Sequence, residues 1–450
     1  MTSFSDIESE FGTQPVNWLD HAGNSIALLT LNGQESKLVV SSPDFHFLRG
    51  DYRGWLDMQL VDRKGDQILV HNALPGIRRM PMTRNSQRVG NYTTEVFPNY
   101  IILKSQNLGQ NNSVSRICFE FAGADKFFHV DLIKSLYTHE LSDEEAKLLK
   151  DIGKKSTPPG KLDPLYLYSI EKPKARIRFK VDDRTYSVVH GIGGEGLGWP
   201  SISIRISSIL SIQFDGLVSI ETATSRVWEW LGYFNQLGMQ SHNLISLSAY
   251  SSTRSRDGAD FYLPNLRQEL PHRRLSFNTS VANLPYSLWK DRNRFGALMK
   301  RWLELADQRR FFRAALNRVV SELNERQDHV DIVLLCSAIE SLDELSNKGT
   351  TLQQMIEAAG NTVSLFSQNI DWEEFSKKAK KLRNDVAHGH WLDDRQIQSG
   401  TALVEVLASV CALYDQVTAG MTDIKASKSQ MAMVTRLEEN WLHFKHLQHQ

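Results

Sequence analysis

The period of the apolar residues changes partway along this chain, and that change constrains the fold more than any other feature. Up to about residue 222 the chain runs in short β-branched or aromatic stretches separated by Gly, Asn, Asp or Pro. Examples are NSIALLTL (24–31), KLVVS (37–41), QILVH (67–71), NYIILK (99–104), RICFEF (116–121), ARIRFKV (175–181) and SISIRI (201–206). Short runs of this kind between turn-forming clusters read as strands. In such number they predict a sandwich-like or strongly bent sheet. After about residue 293 the period becomes helical. Ile332, Leu335, Cys336, Ile339 and Leu342 fall on one face, as do Leu403, Val406, Leu407, Val410, Cys411 and Tyr414 further on.

The two periods divide the 450 residues into a β-rich domain at 1–222, a mixed α/β connecting region at 223–292 and a helical bundle at 293–450. The fold class expected is therefore α+β. Helices are predicted near 293–305, 307–325, 328–345, 350–362, 371–388, 394–419 and 428–447. In the connecting region TSRVWEWLGYFNQLG (224–238) reads as an amphipathic helix and LISLSAY (244–250) as one more strand. GLVSIE (216–221) reads as the strand before that helix. Inside the β-rich part, Ser142 and Glu145 have capping-box spacing for a helix at 142–152, and GKKSTPPGK (153–161) follows as a solvent loop or linker.

Composition excludes several function classes. With 52 basic and 52 acidic residues the formal net charge is zero, so any contact with nucleic acid must come from a local patch. Two such patches exist in sequence. Residues 254–326 hold 15 Lys and Arg against 8 Asp and Glu, and Lys377, Lys378, Lys380 and Lys381 crowd one helix. Cysteines 118, 336 and 411 are odd in number and each lies in an apolar run, which predicts reduced core thiols rather than disulfides. The acidic, polar N-terminus has no basic-then-apolar leader pattern. No stretch approaches ~18 uninterrupted apolar residues, the length a membrane span needs. The expectation is a soluble, cytoplasmic protein with no membrane partner.

The segment KLRNDVAHGHW (381–391) carries the chemistry. Arg383 and His388 are spaced Arg-x4-His, and His390 adds Arg-x6-His from the same arginine. Spacing alone does not single them out, because Arg184 with His190, Arg267 with His272 and Arg436 with His443 also satisfy it. Context separates them. The 267 pair lies in a Pro-bounded loop, the 184 pair in a strand, and the 436 pair on a last helix whose ending HFKHLQHQ reads as a frayed tail. Only the 383 pair ends an internal helix, with Gly389 placed for a left-handed C-cap. On that helix Phe375, Ala379, Leu382 and Val386 form the core stripe. Asn384 and His388, four residues apart, share a different side.

LRNDVAHGHW inside a late all-helical domain resembles the HEPN superfamily, whose hallmark is Arg, then a polar residue, then His after a short gap. Arg383, Asn384 and His388 each match that hallmark. HVDIVLLCSAIESLDEL (329–345) is similar to the family's second helix, with Glu340 at a place where an acidic residue is often seen. The layout, and segments such as FLRGDYRGWLDMQL and GLVSIETATSRVWEWL, resemble the ApeA-type anti-phage proteins. The HEPN match covers roughly the last third of the chain.

The resemblance implies a metal-independent endoribonuclease that uses no cofactor, acts on tRNA or other structured RNA, and leaves a 2′,3′-cyclic phosphate and a 5′-hydroxyl. It implies a homodimer through the HEPN domain. It also implies anti-phage or abortive-infection defence, with the β-rich half sensing a phage-derived trigger or restraining the nuclease. Residue chemistry is consistent with this. Imidazole can serve as acid or base near neutrality, and a guanidinium can fork two phosphate oxygens. Asn384 would orient the imidazole or a phosphate oxygen, Glu340 and His390 would support, and Lys377, Lys378, Lys380 and Lys381 would contact RNA. His388 keeps the Asn-x3-His register, while His390 offers a second ring. One copy is expected to supply a single good base, which a symmetric dimer would double. The alternative is a catalytically inactive HEPN module that dimerises or binds RNA or protein.

Two further patterns are set aside. GIGGEG (191–196) has dinucleotide-loop spacing, but LGWPSISIRI follows instead of a helix, so a flexible or recognition loop is expected. His443, His446 and His449 lack a Cys or carboxylate to complete a metal set, and no metal site is expected.

Overall fold

A computed structural model of the chain describes residues 2–18, 26–42, 56–79, 82–84, 87–89, 92–128, 133–136, 144, 147, 167–170, 177–198, 201–239, 241–252, 257–264, 292–322, 329–346, 349–364, 366–367, 369–420 and 431–449. The expected linker at 153–161 and the Arg267–His272 pair lie outside the described residues. So does the expected helix at 142–152, apart from Glu144 and Lys147.

Helix α1 (Phe4–Phe11) opens the chain, with the Ser3 hydroxyl accepting from the Asp6 amide at 3.2 Å. Strands β1 (Thr13–Trp18), β2 (Ile26–Thr30), β3 (Lys37–Ser42), β4 (Leu56–Val61) and β5 (Gln67–Arg79) follow. After the ribbon of β6 (Met82–Arg84) and β7 (Gln87–Val89) come β8 (Tyr92–Phe97) and β9 (Tyr100–Leu103). Six of these close an antiparallel circuit by hydrogen bonding: β1 to β2, β2 to β3, β3 to β8, β8 to β5, β5 to β4, and β4 back to β1. Period-two burial drives the closure. Ala27, Leu29 and Leu31 are buried while Leu28 between them is exposed. A sheet that closes on itself also leaves fewer unpaired edges.

β5 is long enough to do two jobs. Its last residues, Leu74–Arg79, pair with β8, and Ile68–His71 pair with β9. From β9 the sheet continues through strands that come later in the chain. These are β10 (Val114–Phe121), β13 (Ile177–Val181), β14 (Arg184–Gly198), β15 (Ser201–Val218), β16 (Leu244–Tyr250) and β17 (Ala259–Tyr262). The spatial order from β9 outward is β17, β16, β10, β15, β14, β13. Helix α2 (Ala124–Phe127) follows β10, and β11 (Ile133–Leu136) and β12 (Leu167–Ile170) pair separately.

Three expectations change here. GIGGEG is strand rather than loop: Gly191 to Glu195 pair in register with Ser207 to Ser203, because the β-branched SISIRISS arm supplies a complete ladder for a glycine-rich partner. GLVSIE is divided. Its strand stops at Val218, and the Ser219 hydroxyl accepts from the Thr222 amide at 3.3 Å to start α3 (Ile220–Gly238). β16 and β17 both come from the region read as a connector, and they sit in the middle of the thirteen-stranded sheet. A boundary at residue 222 therefore cuts through it.

The helical bundle follows the predicted pattern closely. Its helices are α4 (Arg292–Glu304), α5 (Arg310–Glu322), α6 (Asp331–Glu340), α7 (Leu352–Val363), α8 (Trp372–Ala387), α9 (Asp394–Thr418) and α10 (Met431–His449). α9 is the central rod, buried from Ser399 to Val417. Among the described residues it is the one helix long and apolar enough to cross a membrane, but 89% of its most apolar window lies inside the fold. The last residues are not frayed. α10 runs to His449, Trp441 and Phe444 are buried, and the Arg395 guanidinium donates to the Leu447 carbonyl at 3.0 and 3.1 Å. All three cysteines are buried free thiols.

α3 and α4 weld the halves together. Phe295 of α4 has ring contacts with Phe128, Phe179, Tyr233 and Phe234, and Trp302 meets Tyr233 edge-on at 5.5 Å. The result is one continuous apolar core.

Candidate active site

α8 positions the motif. The Asp371 carboxylate accepts from the Glu374 amide at 2.9 Å, and acidic Glu373 and Glu374 fill the first turn, which favours the positive end of the helix dipole. Phe375, Ala379 and Leu382 are buried and Val386 partly so, as the stripe predicts. Trp372 lies where Gly360 of α7 leaves room, since a Cβ at 360 would come within 2.3 Å of the indole.

The helix ends in a Schellman motif. Gly389 has φ +66°, its amide donates to the Val386 carbonyl at 3.0 Å, and the His390 amide donates to the Asp385 carbonyl at 2.9 Å. His388 is the capping residue, and its amide donates to the Asn384 carbonyl at 3.0 Å. Termination at Gly389 thus turns the chain immediately after His388 and leaves that ring exposed.

Arg383 is half-buried and donates from Nη1 to Asn384 Oδ1 at 3.2 Å, while its buried Nε lacks a hydrogen-bond partner. Arg383 and Glu340, at the exposed end of α6, both act electrostatically on the buried thiol of Cys336. Burial pushes that thiol up to about 12, with Glu340 adding to the rise and Arg383 opposing it. No direct bond joins Arg383 to His388 within the chain; they meet through Asn384, side chain to one and backbone to the other.

His390 is more than a spare ring. Its Nδ1 lies 3.3 Å from Asp385 Oδ1, and its ring centre is 6.0 Å from that of His388. A single copy thus presents two neighbouring imidazoles, one of them beside a carboxylate, where sequence reasoning allowed for one good base.

The four lysines lie within one broad arc of α8 and differ in exposure. Lys377 is held by Glu373 at 2.5 Å, Lys378 and Lys380 are half-buried, and Lys381 is exposed beside the site-bearing turn. The basic stretch at 254–326 is partly structural as well. Arg309 and Arg313 are buried around Asp415 of α9, with Arg309 Nη1 2.8 Å from Oδ1 and Arg313 Nε 2.8 Å from Oδ2. The Trp302 indole N–H donates to the same carboxylate at 3.0 Å, and the Arg313 guanidinium lies 3.7 Å from the centre of that indole. An aspartate inside the otherwise apolar run SVCALYDQV was the signal for this cluster. Of the competing Arg–His pairs, His190 is buried against Ser208 at 3.1 Å, which makes it a core histidine. Among the described residues no cluster of His, Cys, Asp and Glu has the geometry of a metal site.

No protein-family model, curated protein or solved structure matches the chain.

Proposed function

We propose that the helical bundle is a HEPN-type, metal-independent endoribonuclease centred on Arg383, Asn384 and His388. The observation that carries this reading is their gathering on the last turn and cap of one internal helix, with His388 exposed and the Arg383 guanidinium beside Asn384. Cleavage by the RNA's own 2′-hydroxyl needs a base for that hydroxyl, an acid for the leaving 5′-oxygen and a cation for the phosphorane. His388 takes one proton role. His390 takes the other, with the Asp385 carboxylate 3.3 Å from its Nδ1 to fix the ring. Arg383 neutralises the phosphate, and Asn384 holds it in place until substrate arrives. The products are a 2′,3′-cyclic phosphate and a 5′-hydroxyl. Pairing of two such motifs across a homodimer axis builds one cleft for a structured RNA such as tRNA, and the β-rich half restrains or triggers the nuclease in anti-phage defence.

A second reading has one specific observation in its favour. Arg383 is hydrogen-bonded to Asn384 and makes no direct bond to His388, which fits a catalytically inactive HEPN module that binds RNA or a partner protein.

The test is cleavage of a total tRNA pool in EDTA by the full chain. Wild type should cut, and His388→Ala and Arg383→Ala should each lose about 100-fold or more. His390→Ala should lower cleavage as strongly as His388→Ala, and Asp385→Asn by a smaller factor. Cleavage that survives both the His388 and Arg383 changes would sink the assignment, and absence of cleavage by wild type would leave the binding module standing.

A further inference from the structure

Trp391 is 93% exposed, the most exposed large apolar side chain among the described residues. It stands on a short connector fixed at both ends. On one side the Schellman bond from the His390 amide pins the chain to Asp385. On the other, the Asp393 amide donates to Gln396 at 2.9 Å in the capping box that starts α9. Leu392 turns inward against the core, so the indole is presented outward by a backbone with little freedom. Its Cα can lie no more than about 11 Å from that of His388, three virtual bonds away.

Resting on the nuclease reading, we infer that Trp391 is the platform on which an unpaired RNA base stacks next to the bond to be cut. The surroundings favour nucleic acid over a second protein surface. The flanking residues are Ala387, His388, Gly389 and His390 rather than large apolar ones, and exposed Lys381 lies about two turns back on α8. Three carboxylates are near in sequence. Asp385 is occupied by His390 and Asp393 by the α9 amides, which leaves Asp394 in the first turn of α9. An indole next to His390 on a backbone fixed at both ends supplies a stacking surface, and Lys381 on the helix that leads into it supplies a cation for a phosphate of the same strand. The substrate class follows: RNA that is single-stranded at the cut, such as a loop or an end, rather than continuous duplex.

The probe is a fluorescein-labelled, unstructured RNA oligonucleotide bound to the full-length His388→Ala protein and read by anisotropy. Adding Trp391→Ala should weaken binding about 10- to 100-fold, and Trp391→Phe should retain most of it. An abasic substitution in the RNA should weaken binding in the Trp391 protein and have no further effect in the alanine variant. Equal affinity of the alanine variant overturns the inference while leaving the nuclease assignment to the cleavage assay. A drop in sedimentation mass with unchanged RNA affinity per subunit overturns it too, since the indole then serves a contact between copies. If the oligonucleotide does not bind the His388→Ala protein, the inference falls, while cleavage of the tRNA pool still decides the nuclease assignment.

Discussion

His242 is 4% exposed between α3 and β16, with Nδ1 donating to the Ala122 carbonyl at 3.0 Å and the rings of Phe121 and Phe127 edge-on to it. Burial lowers it to about 4, and nearby Lys126 acts in the same direction against the hydrogen bond. The sign of the consequence is fixed by proton uptake. Below the unfolded value of about 6.5 the unfolded chain binds a proton that the folded chain refuses, so stability falls as pH drops from 6.5 toward 4. The span amounts to about 3 kcal/mol. Urea denaturation across that range should show the slope, and His242→Gln should flatten it; an unchanged slope in the variant would assign it to other groups. His388 and His390 differ from this residue in the respect that matters for chemistry. They are exposed at a helix end, where solvent can reach them.

At the scale of elements, the joint of α4, α5 and α9 depends on one carboxylate. Asp415 is fully buried, and although burial alone would raise its carboxyl, Arg313 and Arg309 hold it below the usual range. Arg309 reaches further, to Glu344 at 2.5 Å and Thr418 at 2.6 Å, tying the turn after α6 to the end of α9. Breaking such a cluster strands buried guanidinium charge. Asp415→Asn should cost about 3–5 kcal/mol in denaturant unfolding. Replacing Asp415, Arg309 and Arg313 together by apolar residues should recover most of that. A mild loss in the single variant would mean that water reaches the arginines. Because the folded carboxyl is depressed, its contribution is present above the unfolded value of about 3.9 and lost as pH falls through the folded one.

For the whole molecule the decisive fact is that the core does not divide where the period does. Phe295, Met299 and Trp302 of α4 are buried, with Phe295 and Trp302 meeting aromatic residues of the β-rich half and of α3. Residues 293–450 made alone would expose that face. The fragment is expected to bind a hydrophobic dye and to unfold at a lower temperature than the full chain, whose calorimetric trace should show one coupled transition for both halves. A fragment that melts cooperatively at the full chain's temperature would make the bundle an autonomous domain.

Local chemistry determined a large part of this protein. The two hydrophobic periods decided which residues become strands and which helices. The cap of α8 was legible because Gly389 is the residue that adopts positive φ at little cost, and the side of α8 carrying Asn384 and His388 followed from helical geometry. Tertiary structure decided what depends on partners distant in sequence. Which strands pair is not written in a period, so the closed circuit and the late entry of β16 and β17 could not be read ahead. GIGGEG becomes strand only because SISIRISS lies beside it. Four lysines on one helix divide into two exposed ones, Lys377 and Lys381, and two half-buried ones, Lys378 and Lys380, only once the bundle is in place. Arg309 and Arg313, which read as surface charge, are buried because Asp415 waits for them about a hundred residues later. Charge and burial are properties of neighbours in space, and only the folded chain supplies those.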